Sequence, residues 1–328
     1  MEKKKFLITI DTEGDNLWSS PKKPTTKNAE FLFRFQALCE KFGFKPTYLT
    51  NYEMANSSVF QELGHDVIKR NTGEIGMHIH AWDMPPAFDL TKDDSLHKPY
   101  LIEYPENMLR EKVSIMTDLL ENTFQKKMVS HRAGRWSFNE QYAQILIEHG
   151  YKVDCSVTPL VSWEKSQGDP NKNGGTNYTD FPSGEYFLSL ADISKAGESD
   201  LLELPMSICH LYPTADFLRK KFDKVMPVRK LLNYFYPSIT WLRPDGTNLK
   251  HMCKLLDTIK NSDENYAMFM LHSSEFMPGG SPTFDTKESI EKLYSDLDTL
   301  FSKASEHFKG VTTAEYRDFY CEQRTKNK

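Results

Sequence analysis

A short apolar run that stops abruptly at ligand-type polar side chains recurs along this chain, each time between helical stretches. That alternation constrains the fold more than any single residue does. The first copy is Phe6-Leu7-Ile8-Thr9-Ile10, followed at once by Asp11-Thr12-Glu13. An apolar run of this length reads as a buried strand, and the acidic residues mark its C-terminal end opening into a loop. A helical pattern over 31–42 is closed by Gly43, and a second strand over 47–50 follows Pro46.

The pattern continues with a helix over 59–69, a strand over 75–80, a helix over 106–124 and a strand over 128–131. A helix over 139–149, closed by Gly150, and a strand over 153–155 come next. A polar loop over 162–184 interrupts the rhythm. It resumes with a strand over 201–204, a helix over 249–259, a strand over 267–271 and a helix over 287–301. About seven βα units with polar strand ends predict a parallel α/β barrel, whose active site lies at the C-terminal mouth of the strands. A single domain over 1–328 is expected, with a substrate-facing insertion near 160–190. There is no internal repeat.

Of the 328 residues, 39% are hydrophobic and 12% aromatic, enough for a packed core. A formal net charge of -5 argues against nucleic acid as the main partner. The five cysteines, Cys39, Cys155, Cys209, Cys253 and Cys321, are scattered and include no Cys-x-x-Cys, so they read as free thiols rather than a disulfide or zinc framework. The run Phe6 to Ile10 is broken by Asp11, too short for a signal-peptide core or a membrane span, so a cytoplasmic location is expected.

Glu74-Ile75-Gly76-Met77-His78-Ile79-His80 carries two histidines at i and i+2 of the expected third strand. Residues so spaced share a face, and neutral imidazole is a common ligand for zinc-like ions. Asp11 and Glu13 are also an i, i+2 pair. One carboxylate with two imidazoles leaves a coordination position open for water, the layout of a hydrolytic metal site for a divalent ion, zinc being the expected one. Taken singly, such residues also serve as helix caps or lysine partners. The barrel reading brings Asp11-Thr12-Glu13, His78-Ile79-His80, His131-Arg132-Ala133-Gly134-Arg135-Trp136, Asp154-Cys155-Ser156 and Leu271-His272-Ser273-Ser274 to one mouth.

In this order the motifs resemble the polysaccharide deacetylases of the NodB-homology group, carbohydrate esterase family 4, and within it the WalW-like branch. The likeness rests on His78-Ile79-His80-Ala81-Trp82, His131-Arg132-Ala133-Gly134-Arg135-Trp136, Asp154-Cys155-Ser156-Val157-Thr158-Pro159 and the stretch from Leu271 to Pro282. It implies a distorted (β/α)7 barrel that uses a divalent metal to remove an acyl group from an amide nitrogen on a sugar. Two positions depart from the family pattern. The family has two adjacent aspartates at the first motif and His-x-x-x-His at the second, where this chain has Asp11-Thr12-Glu13 and, in place of the second histidine, Trp82. Strand periodicity suggests that Glu13 and His80 substitute, since both shifts keep the side chains on one face.

The roles that follow are Glu13, His78 and His80 as metal ligands, Asp11 as general base and His272 as general acid. Arg132 is expected to hold Asp11 through a bidentate contact, and Asp154 to support His272. Trp82, Trp136, Met270 and Leu271 are expected to form a small apolar pocket for the acyl methyl group and a platform for the sugar. Glu203-Leu204-Pro205 and Arg243-Pro244 lie near expected strand ends, and either contact substrate hydroxyls or form a buried Glu203–Arg243 ion pair. The stretch 217–236 mixes basic and apolar residues, and is either a barrel helix with a solvated basic face or a peripheral membrane contact. The expected substrate is an N-acetylated or N-formylated amino sugar of a glycan precursor, with the oligomeric state left open. A metal-dependent amidase for a small cyclic or ureido compound, and a silent carbohydrate-binding protein that has lost its metal, are the alternatives.

Overall fold

The structure is a computed structural model that describes residues 3–326 except 16, 18–23, 83, 167, 169–173, 216, 218–220 and 222–225; at 227 and 229 only the backbone is described. The expected insertion near 160–190 and the basic stretch 217–236 therefore lie partly outside the described residues, Arg219, Lys220, Lys224 and the Arg229 side chain among them.

Strand β1 (Lys4–Thr12) is followed by helix α1 (Leu32–Lys41), β2 (Pro46–Thr50), the short α2 (Tyr52–Ala55), α3 (Ser58–Arg70) and β3 (Glu74–Ile79). Then come the short α4 (Asp94–His97), α5 (Glu106–Phe124), β4 (Ser130–Ala133), α6 (Glu140–Glu148) and β5 (Val153–Asp154). A hairpin of β6 (Tyr186–Ser189) and β7 (Asp192–Ala196) precedes β8 (Leu202–Glu203), β9 (Ile208–Cys209), α7 (Met226–Phe235) and β10 (Thr240–Trp241). The chain ends with α8 (Leu249–Lys260), β11 (Tyr266–His272), α9 (Lys287–His307), β12 (Phe308–Gly310) and α10 (Thr313–Lys326). Local signals account for several boundaries. Asn139 caps α6 by accepting from Tyr142 N at 2.9 Å, and Thr286 opens α9 through a capping box with Ser289.

Seven strands pair in parallel in the order β11-β1-β2-β3-β4-β5-β8, the β6–β7 hairpin continuing antiparallel beyond β8. The sheet curls. Between β8 and β11 the seam is bridged by irregular chain: Tyr266 Oη donates to Pro205 O at 2.6 Å, Met268 N to Ser207 Oγ at 2.8 Å and Met270 N to Leu242 O at 3.1 Å. This is a distorted (β/α) barrel, as expected.

Strand alternation divides the core in two. Phe6, Ile8 and Ile10 of β1 and Phe269 and Leu271 of β11 face the helices, whereas Leu7 of β1 and Tyr266, Met268 and Met270 of β11 fill the interior. Gly76 of β3 permits a close approach to β4, since a Cβ there would stand 2.6 Å from Ser130 O. The N-terminal mouth is closed by α10. Glu74 accepts from Ser130 Oγ at 2.5 Å, from Thr313 Oγ1 at 3.0 Å and from Ala314 N at 3.0 Å, so a carboxylate meets the positive end of that helix. The opposite mouth holds the polar strand ends. Among the described residues no helix is long and apolar enough to cross a membrane.

Candidate metal centre

The inward face of β1 carries Thr9 and then Asp11, with Glu13 just past the strand end. The inward face of β3 carries His78, with His80 following it. Hydrogen bonding fixes Glu13 from behind: its N–H donates to Ser273 Oγ at 2.9 Å, and its carbonyl accepts from Ser273 Oγ at 2.8 Å and from Asn28 Nδ2 at 2.7 Å. Glu13, His78 and His80 are all buried, and their ligand atoms converge. Nε2 of His78 lies 3.2 Å from Nε2 of His80, which lies 2.8 Å from Glu13 Oε2; His78 Nε2 to Glu13 Oε2 is 3.6 Å.

The donor chemistry fits a divalent ion. His78 Nδ1 is 2.9 Å from the Arg132 carbonyl, which accepts only, so Nδ1 carries the hydrogen and Nε2 presents its lone pair to the cluster. A carboxylate oxygen and the second imidazole nitrogen face the same point, while His80 Nδ1 is buried without a hydrogen-bond partner among the described residues. Metal bonds of about 2.0–2.1 Å in a tetrahedral arrangement separate ligand atoms by about 3.3 Å, within the observed spread. Gly134 makes the packing of His80 possible, because a Cβ there would stand 2.3 Å from Ile79 O and 2.9 Å from His80 Nδ1.

Electrostatics agree. Burial raises the Glu13 carboxyl, but His272 and the adjoining His78 and His80 imidazoles outweigh it and hold Glu13 well below the usual carboxylate range. Burial dominates at His80 and keeps it below the ordinary imidazole value. His78 is pushed the other way, because Asp11 and Glu13 outweigh its burial.

Asp11 lies beside the trio, paired in strand register with His272. Arg132 Nη1 donates to Asp11 Oδ1 at 2.6 Å, Nη2 to Thr9 Oγ1 at 2.8 Å and Nε to the Cys155 carbonyl at 2.9 Å. The expected bidentate contact with Asp11 is corrected: the guanidinium divides among three oxygen acceptors and the Met206 and Met268 sulfurs, and takes one carboxylate oxygen. Burial raises Asp11, yet Arg132, His78 and His272 leave it below its ordinary value. His272 Nε2 stands 3.9 Å from both Asp11 Oδ2 and Glu13 Oε1, and its Nδ1 is 3.0 Å from Glu275 Oε2.

Asp154 does not support His272. Val153 faces the barrel interior, so Asp154 faces the helices, where it bonds His131 Nδ1 at 2.6 Å and Ser156 N at 3.0 Å; His131 Nε2 meets Tyr142 Oη of α6 at 2.8 Å. Glu275 takes the place expected of Asp154. Of the two readings of Glu203 and Arg243, the ion pair does not form: Arg243 Nη2 is 3.2 Å from His272 Nδ1 and 3.7 Å from Glu275 Oε1.

A cavity of about 460 Å³ opens over this centre, lined by Asp11, Glu13, His78, His80 and His272, with Trp82, Trp136, Tyr100 and Trp163 as aromatic walls. Met270 and Leu271 are not in its lining. Both are fully buried, Met270 in the interior below the mouth and Leu271 against the helices, as adjacent strand residues must point to opposite faces. Arg135 and Trp136 adopt left-handed backbone angles, φ 53° and 59°, which non-glycine residues rarely do. That turn puts Trp136 on the cavity wall with its ring 4.9 Å from the Arg132 guanidinium carbon. Trp163, from the expected insertion, lies nearly parallel to it at 6.4 Å.

The chain is a parallel barrel with its acidic and imidazole groups gathered at one mouth, and solved structures share that fold. No protein-family model matches the chain, and no curated protein matches it in sequence. In fold it is similar to a protein assigned as a polysaccharide deacetylase from Mycobacterium smegmatis, at 13% identity over 99% of this chain and 93% of that one, TM-score 0.54. It is also similar to a protein assigned as a glycoside hydrolase/deacetylase from Parabacteroides distasonis, at 10% identity over 98% and 72%, TM-score 0.63. A 4-alpha-glucanotransferase from Thermococcus litoralis matches at 14% identity and TM-score 0.51, with 96% of this chain covering 40% of that one. The fold is therefore the distorted barrel of the NodB-homology type. One such barrel hosts more than one carbohydrate chemistry, so activity has to be argued from the site.

Proposed function

We propose that the chain is a metal-dependent hydrolase that removes an N-acetyl or N-formyl group from an amino sugar of a glycan. The observation that carries this reading is the convergence of Glu13, His78 and His80 beside an ionised, arginine-held Asp11, with His272 across the same cavity. Bound by those three side chains, a divalent ion, with zinc as the expected one, supplies Lewis-acid polarisation of the acyl carbonyl and lowers the pKa of a water.

The chain's own groups divide the proton transfers. Arg132 occupies Asp11 Oδ1 and keeps the carboxylate ionised, which leaves Oδ2 to accept the proton of the attacking water. The water oxygen adds to the acyl carbon. As the C–N bond breaks, His272 delivers a proton from Nε2 to the leaving nitrogen, giving a free amine and a carboxylic acid that ionises on release, and the proton held by Asp11 returns to His272 to reset both groups. Glu275 on Nδ1 orients that imidazole for the transfer. The Trp82, Trp136 and Trp163 walls offer faces to the sugar ring and shield the acyl group from bulk water.

Acetate or formate release from N-acyl amino sugars by metal-loaded protein tests the reading. Turnover that disappears in Asp11→Asn, with metal retained, supports it. Metal binding with no turnover of any N-acyl sugar contradicts it.

A further inference from the structure

The catalytic cavity continues into a larger open groove of about 1070 Å³, to which Trp163 and Arg243 contribute from both sides. That volume is slightly above the roughly 300–1,000 Å³ of small-molecule sites, which is room for more than the sugar held over Asp11. The groove has two kinds of lining. Trp241, Tyr212, Tyr234 and Tyr236 supply aromatic faces, the last three around α7 and its following turn.

Between them stand Lys230, Lys250 and Lys254. Lys254 Nζ sits 3.9 Å above the Tyr212 ring, whose hydroxyl meets His251 Nδ1 at 2.8 Å. All three lysines are exposed, and no carboxylate among the described residues pairs with them. The carboxylates of the groove are engaged elsewhere: Asp245 accepts from Thr247 N at 2.8 Å and Thr247 Oγ1 at 2.9 Å, and Glu275 is taken by His272 and Arg243. Among the described residues the groove thus gathers three cations with no paired carboxylate, in a chain whose net charge is -5. Lysines act as point charges for phosphate oxygens, and aromatic faces stack on sugar rings or bases.

We propose that this groove is a subsite for phosphate, so that the amino sugar reaches Asp11 carried on a phosphate or pyrophosphate linkage; the inference rests on the deacetylase reading of the adjoining cavity. The linkage is supplied by a nucleotide or by a lipid carrier. Leu231 of α7, 60% exposed and next in the chain to the groove-lining Lys230, provides apolar surface for the lipid case.

Titration calorimetry on the full chain, wild type and K230E/K250E, tests this with inorganic pyrophosphate, a nucleotide-diphosphate N-acetylhexosamine, a prenyl-pyrophosphate N-acetylhexosamine in detergent, a phosphate-free uronate oligomer and a neutral N-acetylhexosamine oligomer. At least one pyrophosphate-bearing sugar should bind about tenfold or more tighter than the neutral oligomer, weaken with added salt, and lose about tenfold of that advantage in the double variant. Which of the two sugars binds names the carrier. Equal affinity for the neutral or the uronate oligomer, no binding of either pyrophosphate-linked sugar, or dissociation constants indifferent to the charge reversal would overturn the proposal. Acetate release from the neutral oligomer alongside indifferent constants removes the phosphate subsite and leaves the deacetylase. Tight, lysine-dependent binding without acetate release from any of the sugars does the reverse.

Discussion

Arg132 binds one oxygen of Asp11 and leaves the other free: Nη1 stands 2.6 Å from Oδ1, while Oδ2 faces His272 Nε2 at 3.9 Å. Both partners are buried, Arg132 completely. The division of labour on a single carboxylate, one oxygen for charge and one for proton transfer, is what a general base in this cavity requires.

Arg132→Met should therefore destabilise the chain by about 3–5 kcal/mol, since it leaves a buried carboxylate without its cation. Urea unfolding at neutral pH measures this. Asp11→Asn together with Arg132→Met should recover part of the loss, because the uncompensated charge is gone. A double variant no more stable than Arg132→Met alone would show that the arginine's other bonds, to Thr9 and Cys155, dominate.

Gly134→Ala places a methyl group 2.9 Å from His80 Nδ1 and 2.3 Å from the Ile79 carbonyl. The strand end must shift, and with it His80. The expected outcome is a folded protein, by far-ultraviolet circular dichroism, with metal affinity weakened by about 10–100-fold, the range seen when a ligand loses its support. Unchanged affinity would show that Gly134 does not set the ring position.

Metal occupancy should fall on the acid side through His78. Burial depresses this imidazole, but Asp11 and Glu13 outweigh that and raise it above its ordinary value, so a proton competes for Nε2 as the pH falls through the raised value. Asp11, held below its ordinary value, stays ionised over this range and does not set the limb. Affinity should drop by about tenfold per pH unit below that point. The acid midpoint of activity should move to lower pH when the metal concentration is raised; a midpoint independent of metal would assign the limb to another group.

Glu203 stands opposite Asp154 in the sheet, and burial together with that neighbour pushes its carboxyl well above the usual range. The sign is fixed by that direction. A carboxyl with a raised folded pKa contributes its stability below the unfolded value and loses it as the pH rises through the folded one. Glu203→Gln, which keeps an acceptor for Val157 N, should flatten the fall of melting temperature on the alkaline side. Parallel profiles for wild type and variant would show that Glu203 does not carry the pH dependence.

Much of the site is legible because strand periodicity decides it. Asp11, Glu13, His78, His80 and His272 fall on one face by counting in twos, and the seven parallel strands follow from the apolar runs. The same counting shows why Met270 and Leu271 cannot share a pocket wall. Other contacts depend on register between distant strands. Asp154 meets His131 because β4 and β5 align those residues, which no local pattern announces. Glu275 did leave a local signal: it stands three residues after His272 and accepts from His272 N at 2.9 Å, the spacing of a capping box. Helix α10 has no legible sequence signal, because only Thr313 and Tyr316 are buried along it, too few for a clear apolar stripe.

The central claim is that His80 completes a three-ligand centre with Glu13 and His78 in place of a histidine at the position of Trp82. Equilibrium dialysis against zinc, with metal quantified per folded chain, tests it in wild type and His80→Ala. The account predicts one tightly held ion per wild-type chain and loss of that ion in the variant with the fold intact. A wild-type chain that holds no ion, or a variant that holds it as tightly as wild type, would contradict it.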